Sequence, residues 1–260
     1  MKHTSTLVFS CLLFFTASSQ DWKFFSHYSL ALPQQEMGKN IQAAHSLQAG
    51  ALYQLPAVKN LWVGLQLGIG IYAHEKIDQT FTFDNHPTVV PVNYNSNVFN
   101  INLQTRYNLL NEKTPVVPYI SAIAGVYNFF SNINIEDPDD PDGCHPIDRK
   151  NIINDKTLYW SAGGGLQINP DILLKRKRYG RLRIDFSANT IRGGTLNYIN
   201  TKHLMDAQDM PLAEGKAIQM RFINASTQAI HEHTVAQVYS SSLRFMEFTA
   251  GVTVILGKDW

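Results

Sequence analysis

Three scarcities bound what this chain can be. It has two cysteines in 260 residues. It contains no run of about 20 apolar residues, which excludes a bundle of membrane-spanning helices. Its formal net charge is only +1, with 17% charged residues, so bulk charge points to no polyanionic partner and no nucleic acid. Catalytic punctuation is scarce as well. Gly163-Gly164-Gly165 lacks the Lys-Ser/Thr of a phosphate loop, and no cofactor-binding pattern stands out.

The first twenty residues read as a cleaved signal peptide. Lys2 and His3 form a basic start, Leu7 to Phe15 an apolar stretch, and Ala17-Ser18-Ser19-Gln20 a small-residue cleavage region. Cys11 lies inside the apolar stretch, which runs on through Leu12 to Phe15, so a lipoprotein reading is rejected. Removing residues 1–20 leaves Cys144 alone, without an intramolecular partner. It also takes away Lys2 and no acid, leaving 21 basic and 21 acidic residues.

What the remainder has in quantity is alternation. From Leu61 to His74, Leu61, Val63, Leu65, Leu67, Ile69, Ile71 and Ala73 share one face. Trp62, Gly64, Gln66, Gly68, Gly70, Tyr72 and His74 share the other. Strand side chains point alternately to opposite faces, so this is a strand with one wholly apolar side. Its length exceeds the usual globular strand of about 5–6 residues and suits a tilted membrane crossing. Segments 22–32, 41–55, 99–109, 119–130, 157–168, 181–189 and 247–256 fit the same template, with 119–130 and 157–168 ambiguous because both faces are apolar or glycine-rich. That makes eight strands.

Connector lengths sort by parity. Segments 33–40, 75–96, 131–156 and 195–241 are long and polar, whereas 56–60, 111–116 and 169–180 are short. Transmembrane barrels have short turns on the periplasmic side and long loops outside. The expectation is an all-β, eight-stranded antiparallel up-and-down transmembrane barrel over 21–260, with both termini periplasmic. Trp22, Phe24, Tyr53, Tyr107 and Tyr119 are expected as lipid-interface aromatics near the periplasmic end.

In these features the chain resembles the small eight-stranded outer-membrane barrels of the OmpA/OmpX type, particularly the "outer membrane beta-barrel" proteins of Bacteroidota. The resemblance lies in the Ser-Gln end of the leader, Pro118-Tyr119 at a strand start, Trp160-Ser161-Ala162-Gly163-Gly164-Gly165, and Met246 to Val254. It implies a bacterial outer-membrane location and contact with outer-membrane lipids. The family is functionally mixed, so no activity comes with it.

Candidate chemistry is sparse. Arg106, Arg181, Arg183, Asp185 and Glu247 fall on polar faces and are expected to gather as a paired cluster in the lumen, with Lys23, His27 and His74 in the same phase. An eight-stranded barrel is just wide enough for side chains to fill. The expectation is therefore a plugged barrel whose long loops serve structural or interaction roles, such as adhesion or membership of a complex. A narrow solute channel is the first alternative, and a lipid-modifying enzyme the second. Phe186-Ser187-Ala188-Asn189 faintly resembles the serine region of outer-membrane deacylases, but Asp185 and Phe186 stand where the histidine would fall. A serine without a base is not an activated nucleophile, so no enzyme is expected. The acidic turn Glu136 to Gly143 departs from calcium-loop spacing, and Cys144-His145 and His231-Glu232-His233 lie in different loops. No metal is expected. The basic run Leu174 to Tyr179 reads as a solvated turn.

Overall fold

Extended segments leave backbone N–H and C=O groups that a neighbouring strand must satisfy, and in a closed sheet none is left over. The computed structural model describes residues 22–83, 86–135, 148–171, 181–202, 216–223 and 230–257. Its strands are β1 (Trp22–Pro33), β2 (Ala44–Gln54), β3 (Leu61–Phe83), β4 (His86–Asn108) and β5 (Val116–Ile135). These are followed by β6 (Asp148–Ile168), β7 (Leu182–Ile199), β8 (Lys216–Ile223) and β9 (Ile230–Leu256). A short helix α1 (Gln35–Asn40) joins β1 to β2. All pairings are antiparallel, in the order β1-β2-β3-β4-β5-β6-β7-β9. β9 pairs back to β1 from Trp22↔Leu256 to Pro33↔Phe245, which closes an eight-stranded barrel. Among the described residues, β8 is a ninth, short strand that pairs with the start of β9 alone. The expected signal peptide, the acidic turn with Cys144 and the basic run 174–179 lie outside the described residues.

β1 and β2, with 12 and 11 residues, suit one crossing, but β3 to β7 and β9 are far longer than a membrane crossing needs. β3 and β4 have 23 residues each and β9 has 27. At roughly 3.3 Å per residue, 23 residues extend about 76 Å, well beyond an apolar band about 25 Å tall even when tilted. This corrects the reading of 75–96, 131–156 and 195–241 as loops. Most of 75–96 is the β3–β4 hairpin, and 131–156 continues β5 to Ile135 and restarts at Asp148. Within 195–241, β7 runs on to Ile199, β8 spans 216–223 and β9 begins at Ile230. Segment 33–40 contains α1.

The physical reason is an inversion of the apolar face. In the lower part of β4, Phe99, Ile101, Leu103 and Tyr107 are exposed outward, while Asn100, Asn102, Gln104 and Arg106 are buried. Above Phe99 the even positions still point inward but become largely apolar, and Val90, Val92, Tyr94 and Val98 are buried. β5 does the same: Ile120 is exposed below, while Phe129, Ile133 and Ile135 are buried above. The lower barrel is apolar outside and the upper part apolar inside. That is the arrangement of one continuous sheet passing from lipid into water.

Candidate functional site

Among the described residues, inward side chains occupy the membrane part of the interior in four zones that follow from which residues point inward. At the lower end, Phe25, Leu52 and Trp62 form a small apolar cluster with the Lys23 ammonium 4.1 Å above the Trp62 ring. Lys23 also donates to the Glu112 carboxylate and, at 3.1 Å, to Gln167 Oε1. Glu112 belongs to the β4–β5 turn, which folds under the barrel. Arg183 Nη2 donates to its backbone oxygen at 3.0 Å.

Asp185 is the hub of the second zone. Arg106 Nη1 donates to Oδ2 at 2.7 Å and Tyr119 Oη to Oδ1 at 2.6 Å. Gln167 Nε2 and Thr253 Oγ1 also donate to Oδ2, at 2.9 and 3.0 Å, and His27 Nε2 lies 3.6 Å from it. Arg106 in turn lies 4.0 Å over the Tyr119 ring. A buried charge is tolerated when it is paired and hydrogen-bonded, and both Asp185 oxygens meet these conditions, whereas Arg106 Nε has no hydrogen-bond partner among the described residues. Glycines make room for it. A Cβ on Gly165, the cross-strand partner of Tyr119, would lie 2.5 Å from the Tyr119 hydroxyl and 2.2 Å from the Phe186 carbonyl oxygen.

A third zone is built from amides and hydroxyls. Glu247 Oε1 accepts from Ser29 Oγ at 2.7 Å and Gln48 Nε2 at 2.6 Å, and Gln66 extends the chain to Gln48. No cation pairs with Glu247 among the described residues. Above it the lumen turns apolar and aromatic. Tyr127, Phe129, Tyr159 and Phe245 pack together with centroids 5.5–6.4 Å apart, Phe129 on Phe245 stacked and Tyr159 edge-on to Tyr127. α1 completes the closure, with Met37 and the following Ile41 fully buried in the same cluster. Asn40 anchors α1 by accepting from the backbone N–H of Thr201 at 2.8 Å.

Of the residues expected in the lumen, Arg106, Arg183, Asp185 and Glu247 are buried there. Arg181 is not. It precedes β7, exposed at the lower turn, because the inward phase begins only at Arg183. His74 is also exposed, with Nδ1 2.6 Å from Asn95 Oδ1. Of the expected interface aromatics, Trp22, Phe24 and Tyr53 face outward together, Trp22 lying 6.2 Å from Phe24 and 5.3 Å from Tyr53. Tyr107 is exposed as well. Tyr119 is a correction: it is buried and points inward to Asp185. The glycines of β6 opposite it leave room for the ring inside, and so decide a phase that β5 alone leaves open. Glu112 carries no signal of its role in the sequence, since a lone acid in a polar turn has no periodicity.

Ser187 faces the interior, with Oγ 2.6 Å from Thr249 Oγ1 and accepting from Asn189 Nδ2 at 3.1 Å. No histidine is among these partners. Among the described residues, no group of three or more His, Cys, Asp or Glu side chains is placed to hold a metal ion.

The outer wall completes the picture. Leu47, Leu65, Leu67, Ile69 and Leu158 are half or more exposed. They belong to a belt that also includes Phe24, Ile101, Leu103, Ile120, Phe248 and Val252. Exposed apolar surface on this scale does not persist in water. A closed eight-stranded antiparallel barrel with such a belt and a packed interior is a transmembrane β-barrel.

No family model matches the chain, and no curated protein matches it. Among solved structures it is similar to Neisserial surface protein A, at 11% identity and TM-score 0.42, covering 91% of this chain and 97% of that one. It is also similar to the N-terminal β-barrel domain of Pseudomonas aeruginosa OprF, at 11% identity and TM-score 0.39, with the same coverage of each. A third is a major outer membrane protein from Thermus thermophilus, at 10% identity and TM-score 0.41, covering 92% of this chain and 100% of that one.

Proposed function

We propose that this protein is a non-conducting, non-enzymatic barrel of a bacterial outer membrane. Its working surface is the β-structure that projects above the apolar belt, used for adhesion or for membership of a larger outer-membrane complex. The observation that carries this reading is the division of the interior. The membrane part is closed by charged, amide and aromatic zones in succession. The projecting part has its own apolar core of Val92, Tyr94, Ile133, Ile135, Ile199 and Ala236. A built, water-exposed extension on a closed pore suits a scaffold for presenting surface, and a channel has no use for it. Sorted connector lengths support placing the projecting end on the outside of the cell.

Planar-bilayer conductance of refolded protein tests the reading. We expect no discrete steps at ordinary salt, and regular steps would favour a narrow solute channel instead. Mass analysis of membrane lipids with and without expression tests the lipid-modifying alternative, and we expect identical spectra.

A further inference from the structure

We propose that the outer wall of β7 and β9 carries a binding site for a phosphorylated membrane lipid. Arg192 and Arg244 hold its phosphate, and Leu32, Met246 and Phe248 support its hydrocarbon.

Four residues line up across this wall. Trp160 of β6 pairs in register with Arg192 of β7, and Arg192 pairs with Arg244 of β9. The Gln34 backbone N–H donates to the Arg244 carbonyl at 2.9 Å. Two arginines directly opposite each other on one face of an antiparallel pair repel, and such an arrangement is destabilising unless an anion lies between them. No described carboxylate pairs with either side chain. The exposed Trp160 ring lies 5.9 Å from the Arg192 guanidinium.

The position of this row identifies the anion's source. On β9 the outward side chains rise through Val254, Val252, Ala250, Phe248 and Met246 before Arg244. On β7 Arg192 likewise follows Phe186, Ala188 and Thr190, and on β1 Leu32 is the last outward residue before Gln34. Both arginines therefore sit where the apolar belt ends, at the height of a lipid headgroup. A groove of about 380 Å³ opens there, with Gln34 and Gln35 on its polar side and Leu32, Met246 and Phe248 on its apolar side. Its lining contains two arginines and no acid. Guanidinium forks match phosphate oxygens in bidentate geometry, and an adjoining apolar floor suits an acyl chain rather than a soluble anion. The proposal rests on the membrane reading of the belt and is independent of whether the lumen conducts.

The test is native mass spectrometry of protein refolded in mild detergent, titrated with dioleoylphosphatidic acid or dioleoylphosphatidylcholine. We expect one retained phosphatidate per barrel and no comparable retention of phosphatidylcholine. The double variant Arg192→Gln/Arg244→Gln should bind phosphatidate about tenfold or more weakly, at roughly one decade for the two charges together. Arg192→Lys/Arg244→Lys should fall between, since charge remains but the forks are lost. Arg181→Gln, at the opposite end of the barrel, should bind like the wild type. Equal retention by the double Gln variant would overturn the site, as would equal retention of phosphatidylcholine. Full displacement by millimolar inorganic phosphate would overturn the lipid assignment, and a persistent dimer that excludes phosphatidate would assign the wall to a second copy. A heat-dependent gel shift, scored for every variant, shows a folded barrel. Its absence in the wild type would overturn the membrane reading, which separates that failure from failure of the site.

Discussion

The Arg106 guanidinium of β4 and the Asp185 carboxylate of β7 meet at 2.7 Å, although β5 and β6 stand between their strands in the barrel wall. The contact therefore spans the lumen and ties opposite walls together. Removing one partner leaves the other charged, buried and uncompensated. Asp185→Ala should lower stability by about 3–5 kcal/mol. Urea unfolding in detergent, followed by tryptophan fluorescence, measures this. The double variant Arg106→Met/Asp185→Leu should lose less than the sum of the two single changes, and strict additivity would show that the contact contributes nothing.

Close approach inside the β5–β6 pair sets a second expectation. Gly165→Ala places a methyl against the Tyr119 ring and the Phe186 carbonyl and should cost about 1–3 kcal/mol. Gly164→Ala, whose Cβ would point outward with its nearest contact at 2.7 Å, should cost less. A reversed order in unfolding midpoints would contradict the packing described for Tyr119.

The projecting sheet and the membrane barrel have separate cores and should fail separately. Val92→Asp buries an unpaired charge in the upper core alone, a loss on the order of 2 kcal/mol or more. In reconstituted vesicles, proteinase K should then cut the variant within the β3–β4 and β5–β6 extensions. A membrane-protected fragment should remain, with its heat-dependent gel shift intact. Loss of that shift would mean that the two parts fold as one cooperative unit.

α1 covers a lumen already blocked beneath it. Replacing residues 35–40 by a Gly-Ser linker should leave the barrel closed in planar bilayers, because the Tyr127–Phe129–Phe245 layer and the Arg106–Asp185 contact lie below. Discrete steps in that variant alone would identify α1 as the closing element.

Much of the lower barrel was legible in the sequence because lipid and lumen impose a strict period of two. Leu61 to Ile71 declares its outward face in this way, as do Phe99 to Tyr107. The upper barrel was hidden by the same rule. Where the sheet leaves the membrane the outward residues turn polar, and Val90, Val92, Ile133 and Ile135 move to the inside. A search for one constant apolar face reads such a strand as ending and the remainder as a polar loop. The inversion at Val98/Phe99 is itself a sequence signal for a strand that continues into water.

The sequence by itself determined the eight strands of the closed barrel, the direction of most lower side chains and the charge-bearing character of the lumen. Each of these follows from local alternation. Only the tertiary structure decided which charges meet, that Glu112 folds under the barrel to join Lys23, that Tyr119 turns inward while Arg181 stays outside, and that two arginines stand side by side at the edge of the belt. Those are facts of register between strands up to well over a hundred residues apart. Register is set by closure of the whole sheet and by the glycines and bulges that allow it, and no single strand encodes it.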